Sequence, residues 1–152
     1  MDFENNILIN ADDFYNAYQR CLESKNSRVV NGVTVSSYLG IPAIVNAAFA
    51  CELYLKSMIM EVKRCHDLKE FYDLVPQSIK NMMRREYKKA PIPYAKTIED
   101  AIEKVKDTFI DWRYLYEDSN KDQCNPSTLN EYLNIFATIL PIIKEAAHKY
   151  SS

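Results

Sequence analysis

A nearly unbroken run of apolar residues makes the segment 42–61 the one around which the rest of the chain is arranged. Alanine, leucine, methionine, glutamate and lysine dominate it, and all of them favour helix. Pro42 suits a first helical position, and apolar residues then cover almost the whole circumference of the helix. Asn46, Glu52 and Lys56 interrupt the run, so it does not resemble a membrane span. We therefore predict that this segment is the central helix of a bundle.

Apolar residues recur at helical spacing on both sides of this segment and predict further helices. A first helix begins at Asn10 and ends near Ser24. A short third helix begins at a cap formed by Asp67 with Glu70 and stops near Pro76. A fourth helix follows, and its outer side is basic: Lys80, Arg84, Arg85, Lys88 and Lys89.

Two more helices are predicted beyond a stiff linker at residues 90–94, which contains two prolines. Thr97 begins the fifth helix, and one regular apolar stripe carries that helix without a break as far as Tyr116. A capping box of Thr128 and Glu131 begins the last helix.

Residues 28–35 follow a different pattern, because Asn31 and Gly32 stand there between β-branched residues. An Asn-Gly pair in this setting is the strongest short signal for a β-hairpin. The sequence therefore predicts an all-α fold, a five- or six-helix up-and-down bundle, with a small β-hairpin near residues 28–35.

Composition sets limits on the class of protein. The chain has 152 residues, of which 47% are hydrophobic and 26% charged, as expected for a single domain over residues 1–152. The net charge of −2 gives no global basic field, so any contact with RNA must come from a local patch. The four cysteines contain no CxxC pair, which favours reduced thiols in a cytoplasmic protein; they are Cys21, Cys51, Cys65 and Cys124. The acidic and polar first residues show no signal peptide.

Three short pieces of the sequence also occur in a characteristic order. They are ACELYLK at residues 50–56, HDL at residues 66–68, and WRYLYE at residues 112–117. In these pieces and their order the chain resembles the HEPN superfamily of helical-bundle domains, over roughly residues 10–150. That family has an E-x-x-L-K-like central helix, an H-D-L element that opens the next helix, and an R-Y-like turn late in the bundle.

The resemblance implies a bundle of four to six helices that usually dimerises. Many family members are metal-independent ribonucleases of toxin–antitoxin, abortive-infection and phage-defence systems. Others are not catalytic and bind nucleotides, RNA or a partner protein. The ribonuclease motif is an arginine followed, after four to six intervening residues, by a histidine, and two subunits bring these residues to the 2′-hydroxyl and the scissile phosphate.

This sequence departs from the ribonuclease motif. Its arginine would be Arg113, but Asp118, Ser119 and Asn120 occupy the positions at which the histidine is expected. A carboxylate at its usual pKa is a poor general acid near neutral pH. The departure favours a non-catalytic module, and an atypical ribonuclease that uses Arg113 and His66 is the alternative.

Each candidate ligand-binding residue also has a purely structural interpretation. Glu52 and Lys56 border a functional groove or form an ordinary ion pair along one helix face. His66 and Asp67 present a base beside a helix N-terminus, or Asp67 caps that helix and His66 packs at the end of the bundle.

The late helix and the basic helix have the same ambiguity. Arg113, Tyr116 and Glu117 line a cleft between subunits, or Arg113 and Glu117 form a salt bridge. The five basic residues at positions 80–89 hold phosphates or form a solvated face.

From the residues and the resemblance together we expect a HEPN-like module of a prokaryotic defence, toxin–antitoxin or stress system. It would be a homodimer that binds a nucleotide, RNA or a partner protein from the same operon, with no cofactor, no metal and no membrane attachment. A structural subunit that binds another chain through exposed tyrosines and the Val33–Val35 edge is a third interpretation.

Overall fold

The computed structural model describes residues 3–61, 64–113 and 126–152. The chain forms helices and one two-stranded antiparallel sheet, in the order α1 (Phe3–Glu23), β1 (Lys25–Val30), β2 (Val33–Tyr38), α2 (Gly40–Lys56), α3 (Leu68–Leu74), α4 (Gln77–Lys89), α5 (Ile98–Val105), α6 (Thr108–Arg113) and α7 (Pro126–Ser151). The prediction of an all-α bundle with a small β-hairpin is confirmed.

Helix α2 lies at the centre of the bundle, because α1, α3, α6 and α7 all pack against it. Fully buried residues cover more than half of the circumference of α2, and they include Ala47, Ala48, Ala50 and Glu52. A helix that is apolar all round needs neighbours on several sides, and α2 has them. The predicted central helix is therefore confirmed.

The limits of α2 differ from those predicted. The helix begins at Gly40, two residues before Pro42. A Cβ atom on Gly40 would lie 3.2 Å from a methyl group of Leu129 in α7, so the glycine allows close packing of the two helices. It ends at Lys56 rather than at residue 61, because the hydroxyl of Ser57 donates a hydrogen bond to the carbonyl of Tyr54 (2.7 Å) and closes the last turn.

Helix α1 packs along α2 and begins earlier than predicted, at Phe3 rather than at Asn10. The apolar spacing continues upstream of Asn10, since Leu8 also packs against the core. Farther along α1, the rings of Phe14 and Phe49 meet edge to face with their centroids 4.5 Å apart. The predicted end near Ser24 agrees with the observed end at Glu23.

The β-hairpin confirms the Asn-Gly signal and is longer than predicted. Asn31 (φ 51°) and Gly32 (φ 78°) both have positive φ, as a two-residue turn of type I′ requires. Val30 pairs with Val33 directly across this turn. Val33 is 62% exposed, so the tip of the hairpin presents apolar side chains to solvent.

The predicted fifth helix is two helices, α5 and α6, rather than one continuous helix. At the break, the hydroxyl of Thr108 donates to the carbonyl of Val105 (2.5 Å). The carbonyl of Lys106 instead accepts a hydrogen bond from the backbone N–H of Leu68, the first residue of α3 (3.0 Å). A tertiary contact thus interrupts a stripe that is helical by local pattern. The predicted extension to Tyr116 lies outside the described residues.

The predicted caps have different outcomes. Thr97 caps α5, since its hydroxyl accepts from the backbone N–H of Asp100 (3.1 Å). The prediction that Thr128 and Glu131 form a capping box at the start of the last helix is wrong, because α7 begins at Pro126 and Thr128 lies inside it. Proline suits the first turn of a helix, where a backbone N–H has no intrahelical acceptor.

Two other features concern the chain as a whole. Cys21, Cys51 and Cys65 are free thiols, and Cys124 lies outside the described residues. Burial raises the pKa of the Cys51 thiol. Within the described ranges no helix has both the length and the apolar character needed to span a membrane.

A polar cluster at Asp12 joins α1, α2 and α7. The carboxylate of Asp12 accepts hydrogen bonds from the hydroxyl of Tyr54 and from Nε2 of His148, the latter at 2.9 Å. Tyr54 is fully buried, so its hydroxyl depends on this acceptor. Partial burial alone would raise the pKa of Asp12, but the hydrogen bonds from Tyr54 and His148 outweigh it and lower that pKa below its usual value.

We expect Asp12→Ala to lower the free energy of unfolding by about 1–3 kcal/mol near neutral pH, because the buried hydroxyl of Tyr54 loses its acceptor. The pKa of Asp12 is lower in the folded than in the unfolded state. Its contribution is therefore complete above the usual aspartate pKa, near 3.9, and is lost as the pH falls below that range. Urea unfolding of both proteins at neutral and acidic pH measures this difference.

Tyr54→Phe provides the control for this measurement. In that background no hydroxyl is left unpaired, so Asp12→Ala should cost less than it does in the unaltered protein. Equal costs in the two backgrounds would show that the hydrogen bond between Tyr54 and Asp12 does not carry the effect.

Candidate functional site

The candidate site is built on the carboxylate of Glu52, which is fully buried in the middle of the bundle. Its Oε1 lies 2.6 Å from Nζ of Lys56, one turn later in α2, and its Oε2 lies 2.9 Å from Nδ1 of His66. A buried carboxylate is costly unless it is paired and hydrogen-bonded. The predicted pair of Glu52 and Lys56 is therefore confirmed, and His66 joins it.

His66 is held in place from two sides. The connection from α2 to α3 carries it over α6, where its ring centroid lies 4.8 Å from that of Phe109. The ring of Phe109 in turn stacks on Phe49 of α2, with 4.9 Å between centroids. Because Nδ1 faces Glu52, Nε2 is the ring nitrogen left for a ligand. The side chain of His66 is 40% exposed, so a ligand can reach it.

Lys56 is held in a comparable way. Its ammonium lies 5.0 Å from the centre of the Phe71 ring in α3, which is a cation–π distance. The side chain is 28% exposed. An ammonium has three N–H groups, so its bond to Glu52 leaves donors for a ligand at the surface.

Asp67 confirms the structural interpretation of its role. Its carboxylate caps α3 by accepting hydrogen bonds from the backbone N–H groups of Lys69 (2.9 Å) and Glu70 (3.1 Å). Burial, together with the negative charges of Asp67 and Asp111, raises the pKa of Asp107. Asp67 adjoins His66 in the sequence, and Asp107 and Asp111 flank Phe109, so three carboxylates lie near the candidate site.

The late-helix candidates are only partly described. Arg113 is the last residue of α6 and stands one turn after Phe109, whose ring contacts His66. The side chain of Arg113, and the whole of Tyr116 and Glu117, lie outside the described residues. The predicted cleft around Arg113 therefore stays a prediction.

The basic side of α4 is less uniform than the sequence indicates. Lys80 donates to the carbonyl of Asp73 (3.1 Å), and Lys89 pairs with Glu86 (2.8 Å). Arg84 pairs through Nε with Glu99 of α5. Arg85 and Lys88 are exposed. Three of the five predicted cations are thus engaged by protein acceptors.

One lysine of this surface is missing from the prediction because it does not belong to α4. Lys96 precedes α5, and it lines a cavity of about 440 Å³ together with Arg84 and Lys88. Helical periodicity compares positions within one helix, so it gives no signal for a cation that a separate segment contributes.

The buried carboxylate gives a stability prediction. Glu52→Ala should lower the free energy of unfolding by about 2 kcal/mol, because it removes the buried group that both Lys56 and His66 bind. The loss is below that for a fully buried ion pair, since water can still reach both partners. Urea unfolding measures the change.

Glu145→Ala is the matched control, because Glu145 forms an exposed pair with Lys149 at the same helical spacing (3.0 Å). Removal of this pair should cost at most about 0.5 kcal/mol. If both variants lose the same stability, burial does not distinguish Glu52.

Comparison of the chain with protein-family models, with curated proteins and with solved structures finds no match. The function must therefore be inferred from the chemistry of the site. Its distinguishing feature is a buried carboxylate that holds one ammonium and one imidazole at the surface of the bundle.

Proposed function

We propose that this chain is a HEPN-like module that binds a phosphate-bearing ligand, RNA or a nucleotide, at Lys56 and His66 without cleaving it. The observation that carries this proposal is the contact of buried Glu52 with both side chains. A homodimer in a prokaryotic defence, toxin–antitoxin or stress system is the setting that the resemblance implies.

The fixed geometry of the cluster supports phosphate binding. Glu52, Phe71 and Phe109 hold the two side chains, so a ligand does not have to immobilise long, flexible groups. Lys56 is a compact cationic donor, and such ammonium groups bind phosphate as point charges. Nε2 of His66 adds a second polar group at the surface.

Non-catalytic binding follows from what the sequence lacks. Asp118, Ser119 and Asn120 stand where the ribonuclease motif requires a histidine after Arg113. Without an imidazole at that position, the arrangement of arginine and histidine typical of the family is incomplete.

A ribonuclease is the second candidate function, and the contact between His66 and Glu52 favours it. A carboxylate that binds one ring nitrogen fixes the orientation of an imidazole and leaves the other nitrogen for proton transfer. Phe109, which supports the ring, lies one turn before Arg113 in α6. In this mechanism His66 would transfer the proton and Arg113 would hold the scissile phosphate.

One experiment tests both functions. Fluorescence anisotropy with labelled single-stranded RNA in EDTA measures binding, and gel electrophoresis of the same samples measures cleavage. We expect the unaltered protein to bind and not to cleave. Lys56→Gln and His66→Gln should each weaken binding about tenfold, because each removes one polar contact to phosphate but keeps an N–H donor for Glu52.

Lys69→Gln is the control, since Lys69 is a lysine of α3 that pairs with exposed Asp73 (2.7 Å). It should leave RNA binding unchanged. Equal binding by all three variants would contradict the proposed site. Cleavage that is lost in both His66→Gln and Arg113→Ala, but kept in Lys69→Gln, would establish the ribonuclease instead.

A further inference from the structure

A second cluster of cations lies in the cleft between α4 and the segment that leads into α5. The cavity there has a volume of about 440 Å³ and is lined by Arg84, Lys88, Lys96, Thr97 and Glu99, over the buried residues Tyr87 and Ile98. Pockets for small molecules have volumes of about 300–1,000 Å³, so this cleft is large enough for one.

Arg84 is fixed in this cleft by two acceptors. Its Nε donates to the carboxylate of Glu99, and its Nη1 donates to Oδ1 of Asn81 (3.2 Å). The hydroxyl of Tyr72 donates to the same carboxylate (2.8 Å). Partial burial alone would raise the pKa of Glu99, but the bonds from Tyr72 and Arg84 lower it. Glu99 is therefore an anchor for Arg84, and the Nη2 end of the guanidinium remains as a donor.

The two lysines differ from Arg84 because they are exposed, and within the described ranges neither has a carboxylate partner. Lys88, Lys96 and Arg84 place three positive charges around one cavity, against the single negative charge of Glu99. Like charges that line one cavity repel one another, and an anion between them removes that repulsion. The hydroxyl of Thr97 supplies a neutral donor at the same edge.

We propose that this cleft is a binding pocket for a small molecule with a di- or triphosphate group. Several cationic donors around a bounded cavity match a compact polyanion, which spreads its charge over neighbouring phosphates. The cleft is separate from the Lys56 and His66 cluster, so this inference does not rest on the proposed function.

The test is isothermal titration calorimetry on the full chain in EDTA with three probes. Inorganic tripolyphosphate and ATP should both bind, and adenosine should not, because the contacts are to phosphate. The double variant Lys88→Ala/Lys96→Ala should weaken tripolyphosphate binding about tenfold or more. Both side chains are exposed, so we expect the fold to survive, and circular dichroism checks this.

Arg85→Ala/Lys89→Ala is the matched control. It removes two positive charges from the same helix, but neither residue lines the cavity. Tripolyphosphate binding should stay within about twofold of the unaltered protein, because charges outside the cavity attract the ligand only over a distance at which salt screens them. Equal weakening in the two double variants, or no binding of tripolyphosphate by the unaltered chain, would overturn the pocket.

RNA binding by the Lys88→Ala/Lys96→Ala variant distinguishes this pocket from the proposed function, since its Lys56 and His66 cluster is intact. Loss of tripolyphosphate binding in this variant but not in the control supports the pocket, whether or not RNA binds elsewhere. Binding of RNA through Lys88 and Lys96 without any binding of tripolyphosphate would overturn it in favour of a surface for a polymer.

Discussion

The burial of α2 over most of its circumference is the constraint on which the rest of the structure depends. A helix surrounded by neighbours cannot leave its polar side chains without partners. Glu52 therefore binds Lys56 and His66, and Tyr54 binds Asp12. These bonds connect α2 to the α2–α3 connection on one side and to α1 on the other.

The need to pair the buried carboxylate of Glu52 also explains the candidate site. The carboxylate of Glu52 needs cationic or donor partners, and these partners reach it from the surface. Their outer ends remain accessible to solvent. The arrangement that satisfies a buried charge is thus also the one that holds an ammonium and an imidazole in place at the surface of the bundle.

Local signals in the sequence predicted those features that depend on neighbouring residues. The hairpin follows from Asn31 and Gly32, the start of α3 from the cap at Asp67, and the ion pair in α2 from the four-residue spacing of Glu52 and Lys56. Tertiary contacts decided the rest. His66 reaches Glu52 across 14 positions of sequence. The break between α5 and α6 contains no proline or glycine, and it coincides with the hydrogen bond from the N–H of Leu68 in α3 to the carbonyl of Lys106. Neither contact has a periodic signal.

Helix α3 lies between the two cationic sites and makes their geometry interdependent. Its Phe71 supports Lys56 by a cation–π contact, while the adjacent Tyr72 donates to Glu99, the anchor of Arg84. Since neighbouring residues on a short helix move together, a shift of α3 that displaces Phe71 also displaces Tyr72. Displacement of α3 would therefore affect the contacts of Lys56 and those of Glu99 together.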